Sequence, residues 1–135
     1  MVTPHPGEAA RLLSDKTAFS SADVQRDRFD AVKKLYDMFA VNDACTVILK
    51  GSGTLIFNGE TLKVCSLGNA AMAAPGMGDI LSGIVIALMA QGINISEAAE
   101  LAVCLHASAA GLLVGDKTRG LLASDIIDAL PKVLQ

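Results

Sequence analysis

Between residues 22 and 40, apolar side chains recur at helical spacing, through Val24, Val32, Leu35 and Phe39. Asp30 and Lys34 form an exposed i,i+4 pair on the same segment. The pattern predicts one amphipathic surface helix with Ser20 or Ser21 as its N-cap. Upstream, residues 7–14 (GEAARLLS) predict a short helix, and Pro4 and Pro6 hold the first residues to an extended or turning path. The period changes at residues 45–49 (CTVIL), a β-branched apolar run that reads as a buried strand. Residues 54–57 and 61–65 predict two further strands, joined by Asn58-Gly59, which supplies the left-handed backbone of a tight hairpin turn. Residues 68–78 read as an ordered loop rich in Gly and Ala. Three helices follow, over residues 79–91, 96–114 and 124–134, with Pro131 expected to kink or end the last one early.

The order of helix, strand, β-hairpin and helices is that of an α/β or α+β domain. The helices over 79–91 and 96–114 are apolar on most faces and need cover on several sides. A few short strands supply little of it, so the chain reads as part of a larger domain. At 135 residues, 52% hydrophobic and 19% charged, it carries the apolar material of one packed domain, which excludes a disordered or collagen-like chain. The net charge of −3, with no basic run, argues against a nucleic-acid partner.

A mean hydropathy of +0.47 raises the question of a membrane. The apolar stretch over residues 80–93 is interrupted by Ser82, Gly83, Gln91 and Gly92 and falls short of the roughly 20 residues a span needs, so it reads as a core helix. The N-terminus lacks a charged-then-apolar signal pattern. Cys45, Cys65 and Cys104 are odd in number and lack CxxC spacing, which argues against a disulfide framework or a zinc site. A reducing, cytoplasmic setting is expected.

Three constellations could carry chemistry. In Gly76-Met77-Gly78-Asp79, a glycine pair leads into an apolar helix whose first N–H groups can hold an anion such as a phosphate, with Asp79 beside it as a base or as an orienting group for a hydroxyl. The same spacing serves a plain turn whose Asp complements the helix dipole. In Lys50-Gly51-Ser52-Gly53-Thr54, a Lys and flexible glycines follow a buried strand, where α/β sheets place ligands. The loop can hold phosphates by charge and by backbone N–H groups, or it can be a polar turn between strands. In Thr3-Pro4-His5-Pro6-Gly7-Glu8, His5 is either a substrate contact or an incidental residue at a capped helix start. His106 is expected to be a satisfied packing histidine. Met72, Met77 and Met89 are expected to fill gaps, and Asp125 and Asp128 to serve the start of the last helix.

In sequence order, TPHPGEAARLL, VILKGSGTLI, GNAAMAAPGMGDILSGIVIALMAQG and HASAAGLLVGDKTRGLLASDIIDALP closely resemble the C-terminal half of the ADP/ATP-dependent NAD(P)H-hydrate dehydratase domain. The resemblance runs from Thr3 to Leu134 and implies a ribokinase-like α/β fold, present as the C-terminal portion of a domain over residues 1–135. It implies an enzyme that spends ADP or ATP, with Mg²⁺, to dehydrate the hydrated nicotinamide ring of NADH or NADPH. On the family's pattern, His5 and Asp79 contact the hydrated dinucleotide, and Asp79 also lies at the reacting centre. Lys50, Gly51, Ser52, Gly53, Thr54 and Gly78 contact the adenine nucleotide. Because the family domain has a further N-terminal half, association with that half or with a second copy is expected. A ribokinase-like small-molecule kinase and a non-catalytic fragment that only binds nucleotide or a partner are the competing readings.

Overall fold

The two prolines leave the first residues extended, and the chain uses them as an edge. In the computed structural model, which describes residues 1–14, 18–41, 45–115 and 119–134, Val2 forms a parallel bridge with Val47 of β1 (Val47–Leu49). The described residues fall into two compact units, Met1–Val64 and Cys65–Gln135.

In the first unit, α1 (Pro6–Leu13) begins with a proline at N1, where a missing N–H costs nothing. Ser20 caps α2 (Ser21–Arg26), accepting from the Asp23 N–H while Asp23 caps back. The single helix expected over residues 22–40 is in fact two, because Asp27 leaves helical geometry at φ −140°, ψ 83°. Its carboxylate accepts from the Asp30 N–H at 2.9 Å, so one residue closes α2 and opens α3 (Arg28–Phe39). The expected Asp30–Lys34 pair is present, at 2.7 Å. Val24, Ala31, Val32 and Leu35 are fully buried, and α3 lies on β1 and on β2 (Thr54–Phe57). β1 and β2 pair antiparallel in the register Val47↔Phe57, Ile48↔Ile56, Leu49↔Leu55. β3 (Leu62–Cys65) follows in the order β1-β2-β3. The Asn58 side chain accepts from the Glu60 and Thr61 N–H groups and closes the β2–β3 turn, as the Asn-Gly pair predicts.

In the second unit, a 3-10 turn (Ala70–Met72) precedes three helices, α4 (Met77–Ala90), α5 (Ile95–Val114) and α6 (Ala123–Val133). α5 packs on both α4 and α6. Ala98, Ala99, Ala102, Ala109 and Ala110 of α5 are fully buried, so neighbouring backbones can approach closely. With 20 residues, α5 is the described helix long and apolar enough to cross a membrane, and more than half of it is buried inside the protein. Pro131 lies inside α6 and does not end it: the Leu134 N–H still reaches the Leu130 carbonyl at 3.2 Å. A proline one turn from a helix end deletes a single hydrogen bond and is tolerated there. Asp125 accepts from the Leu122 N–H at 2.8 Å, the capping role expected of it.

His106 is buried and its pKa is pushed down by that burial, as befits a neutral packing residue. Contrary to the expectation that it is satisfied, its Nε2 has no partner among the described residues. Met77 is buried and Met72 half-buried, but Met89 is 40% exposed on the outer side of α4 and fills no gap. Ile86 of α4 and Leu112 of α5 are likewise exposed, by 65% and 61%.

Candidate functional site

The predicted site residues lie in both units. His5, Lys50, Gly51, Ser52, Gly53 and Thr54 belong to the first, Gly78 and Asp79 to the second.

In the first unit, three backbone bonds bring the TPHPGE segment to the KGSGT loop. The Val2 N–H donates to the Thr46 carbonyl (3.1 Å), the Ile48 N–H to the Val2 carbonyl (2.9 Å), and the Lys50 N–H to the Pro4 carbonyl (2.9 Å). His5 then caps α1. Its Nδ1 accepts from the Gly7 N–H at 3.1 Å and the Glu8 N–H at 3.2 Å, and the Glu8 carboxylate accepts from the His5 N–H at 2.7 Å. This reciprocal box is normally built with Ser or Thr. Here the imidazole does the work, and because Nδ1 accepts, the proton sits on Nε2. Nε2 faces Glu8 Oε1 at 3.4 Å, on a side chain still 49% exposed. The His5 of the sequence motif is therefore a cap and retains an open ring edge.

Glu8 joins His5 to Lys50, whose Nζ stands 3.6 Å from Glu8 Oε2. The backbone hydrogen bond from His5 holds the Glu8 carboxyl below its ordinary range. Partial burial works against this and the Lys50 charge adds to it. The Thr54 hydroxyl donates to the Gly51 carbonyl at 3.2 Å and closes the loop. Gly51 has φ +142°, and a Cβ there would lie 3.1 Å from Nη2 of Arg28, so the loop position is kept for glycine by both backbone and neighbour.

The sequence pattern does not single out Arg28. From the first turn of α3 its guanidinium donates to the carbonyls of Leu49 (3.1 Å), Lys50 (3.4 Å) and Ser52. These partners lie more than twenty residues away, and no local spacing announces them.

In the second unit, Gly76 is the N-cap of α4 in the left-handed conformation, φ +83°, where a Cβ would lie 3.1 Å from the Ala123 Cβ. The helix therefore opens at Met77, two residues before the expected start. The Met77 N–H reaches back to the Ala74 carbonyl and the Asp79 N–H to the Gly76 carbonyl. Among the described residues the Gly78 N–H has no acceptor, which leaves it as a free donor of this helix start. Asp79 is exposed, and among the described residues its carboxylate has no hydrogen-bond or ion-pair partner. A free carboxylate beside a free N–H at a helix N-terminus can accept a proton next to a bound anion. Beside this turn, Ala70, Ala71, Ala73, Ala74, Arg119, Gly120 and Leu121 wall a cleft of about 480 Å³.

Comparison with known proteins gives these features a setting. Residues 1–132 match the Carb_kinase family, described as NAD(P)H-hydrate dehydratase. The chain is 45% identical over 135 residues to the bifunctional NAD(P)H-hydrate repair enzyme Nnr of Vibrio cholerae, covering 99% of this chain and 26% of that protein. It is 42% identical over 132 residues to the ADP-dependent (S)-NAD(P)H-hydrate dehydratase of Neisseria meningitidis, covering 96% of this chain and 42% of that one. Among solved structures, the ADP/ATP-dependent NAD(P)H-hydrate dehydratase of Bacillus subtilis, co-crystallized with ATP/Mg²⁺ and soaked with CoA, superimposes with a TM-score of 0.85 at 29% identity. That match covers 98% of this chain and 47% of the Bacillus chain. A ribokinase-like superfamily protein of Enterococcus faecalis gives 0.76 at 27% identity. The chain thus spans between about a quarter and a half of the relatives it matches.

Proposed function

The chain belongs to the NAD(P)H-hydrate dehydratase family, and on that premise we propose that it supplies the catalytic aspartate and the nucleotide loop for ADP- or ATP-dependent dehydration of hydrated NADH or NADPH. The observation that carries the reading is the start of α4, where Asp79 is unpaired and exposed beside the free Gly78 N–H.

Phosphoryl transfer depends on positioning and charge neutralisation. The Gly78 N–H and the positive end of the α4 dipole hold the phosphoryl group in flight. Asp79 accepts the proton of the ring hydroxyl as its oxygen attacks the terminal phosphorus of the nucleotide; the phosphoanhydride bond on the far side breaks, and AMP leaves from ADP, or ADP from ATP. The C–O bond then breaks, phosphate leaves, and a proton is lost from the adjacent ring carbon, which restores the double bond. Lys50 and the glycines after it hold nucleotide phosphates, and the open Nε2 edge of His5 meets the hydrated dinucleotide. Among the described residues no three His, Cys, Asp or Glu side chains converge to cage a metal ion. Mg²⁺, held by the nucleotide phosphates, would neutralise charge on them, and the proton transfer is assigned to Asp79. The setting is a reducing cytoplasm, in keeping with the three free thiols. The exposed apolar residues of α4 and α5 are covered by the further half that longer relatives possess, or by a second copy.

The test is recovery of the reduced-nicotinamide absorbance from hydrated NADH with ADP or ATP and Mg²⁺, using this segment within a complete domain. Asp79→Asn keeps the size and removes the base, so turnover should fall by about 10²–10⁴ while nucleotide binding survives. Near-wild-type turnover by that variant overturns the assignment. Phosphorylation of an alcohol panel instead of the hydrated ring would favour a ribokinase-like kinase. Nucleotide binding with no turnover would favour a binding fragment.

A further inference from the structure

We propose that Arg28 is the positioning residue of the KGSGT loop: it grips the carbonyl side of three loop peptides and so turns their N–H groups outward, toward a nucleotide phosphate. The inference rests on the reading of that loop as the nucleotide loop.

The geometry follows from the planar trans peptide, in which the C=O of one residue and the N–H of the next point in opposite directions. Arg28 Nη2 takes the Leu49 and Lys50 carbonyls at 3.1 and 3.4 Å, and Nη1 takes the Ser52 carbonyl. The N–H groups opposite them are those of Lys50, Gly51 and Gly53. The first already demonstrates the effect, because the Lys50 N–H points away from the guanidinium and donates to the Pro4 carbonyl at 2.9 Å. The Gly51 and Gly53 N–H groups are turned in the same sense. Two outward N–H groups on flexible glycines beside Lys50 form the kind of nest that binds an anion.

Electrostatics points the same way. Among the described residues no carboxylate forms an ion pair with Arg28, and its charge is met by carbonyl dipoles alone. It is partly buried, its Nε has no hydrogen-bond partner among the described residues, and burial lowers its pKa. A guanidinium placed at that cost adds positive potential behind a loop whose front carries Lys50, which Glu8 partly offsets. Its planar fork is what lets one side chain reach three carbonyls; a lysine ammonium is a point donor and cannot reproduce the span.

The experiment uses the full 135-residue chain, isotopically labelled, with ADP as the probe. In the wild type, ADP should shift the Gly51 and Gly53 amide resonances. In Arg28→Lys, which keeps charge and stem, those two resonances should already be displaced without ADP while the Val47 and Ile56 resonances stay in place. ADP affinity should fall roughly tenfold or more, the scale of one to two charge-assisted hydrogen bonds. Arg28→Ala should do the same and more. Full ADP affinity with unmoved Gly51 and Gly53 amides in Arg28→Lys overturns the positioning role and leaves the nucleotide loop standing. Absence of any Gly51 or Gly53 shift in the wild type overturns the loop reading, and this role with it.

Discussion

The Lys50 N–H donates to the Pro4 carbonyl at 2.9 Å, and that bond makes neighbours of two motifs that lie more than forty residues apart. It places His5, Glu8 and Lys50 in one line of contacts, with Glu8 in the middle. A substitution at Lys50 therefore acts on the proposed phosphate ligand and on the Glu8 carboxylate of the α1 cap at once, and the two effects can be separated.

Lys50→Ala should weaken ADP or ATP binding more than binding of hydrated NADH, because charge on the loop serves phosphates first. Calorimetry with each ligand on a complete domain carrying this segment reads the difference. Equal loss of both would mean that Lys50 acts only through Glu8 and the cap.

Glu8 gives the fold an acid-sensitive contact. Its folded carboxyl titrates below the ordinary glutamate value, so the folded chain gives up this proton more readily than the unfolded one. The contribution is complete above the ordinary value, about 4.3, and disappears as pH falls through the lower folded value. Across that window the thermal midpoint of the wild type should drop more steeply with acid than that of Glu8→Gln. Parallel curves would show that the carboxylate adds nothing to stability.

Gly76→Ala tests the α4 start. The residue would have to hold φ +83° with its Cβ 3.1 Å from that of Ala123. The backbone alone costs about 1–2 kcal/mol for an L-residue, so urea unfolding should shift to a lower midpoint. An unchanged midpoint would mean that the turn relaxes to another conformation.

The exposed Ile86 and Leu112, with Leu101 and Leu113 also open, should make the isolated chain self-associate or bind a separately expressed N-terminal half from a relative. Light scattering after size exclusion reads the mass. Ile86→Ser with Leu112→Ser should shift it toward monomer. A wild-type monomer that also ignores the added half would count against covered faces.

Much of the architecture was legible because each segment obeys one period. The core helices α4 and α5 follow from continuous apolar runs, and the β2–β3 turn follows from Asn58-Gly59. The break at Asp27 was hidden because an Asp on the polar side of a helical stripe looks the same whether it continues a helix or caps one. Val2 was hidden because a three-residue edge beside prolines has no alternation to read. Motif order singles out His5, Lys50, Gly78 and Asp79 as candidates, whereas the cap made by His5 required knowing that the imidazole turns back on its own helix. Arg28 lay beyond reach because its partners are assembled only when α3 docks on the sheet.

The alanine seam of α5 has a bearing on how this sequence can drift. Ala98, Ala99, Ala102, Ala109 and Ala110 are fully buried, so a side chain larger than a methyl group must find its space inside the packed helices. Replacement by glycine gives up about 1 kcal/mol of helix propensity at each position, while a larger side chain overpacks the seam at about 1–3 kcal/mol. Inherited change along this helix is therefore penalised in both directions of size, and two such changes can add up to a sizeable share of a small protein's stability. Lineages that enlarge one of these alanines are expected to carry a matching reduction on the facing residue of α4 or α6, a compensation that a deep mutational scan with paired substitutions would detect.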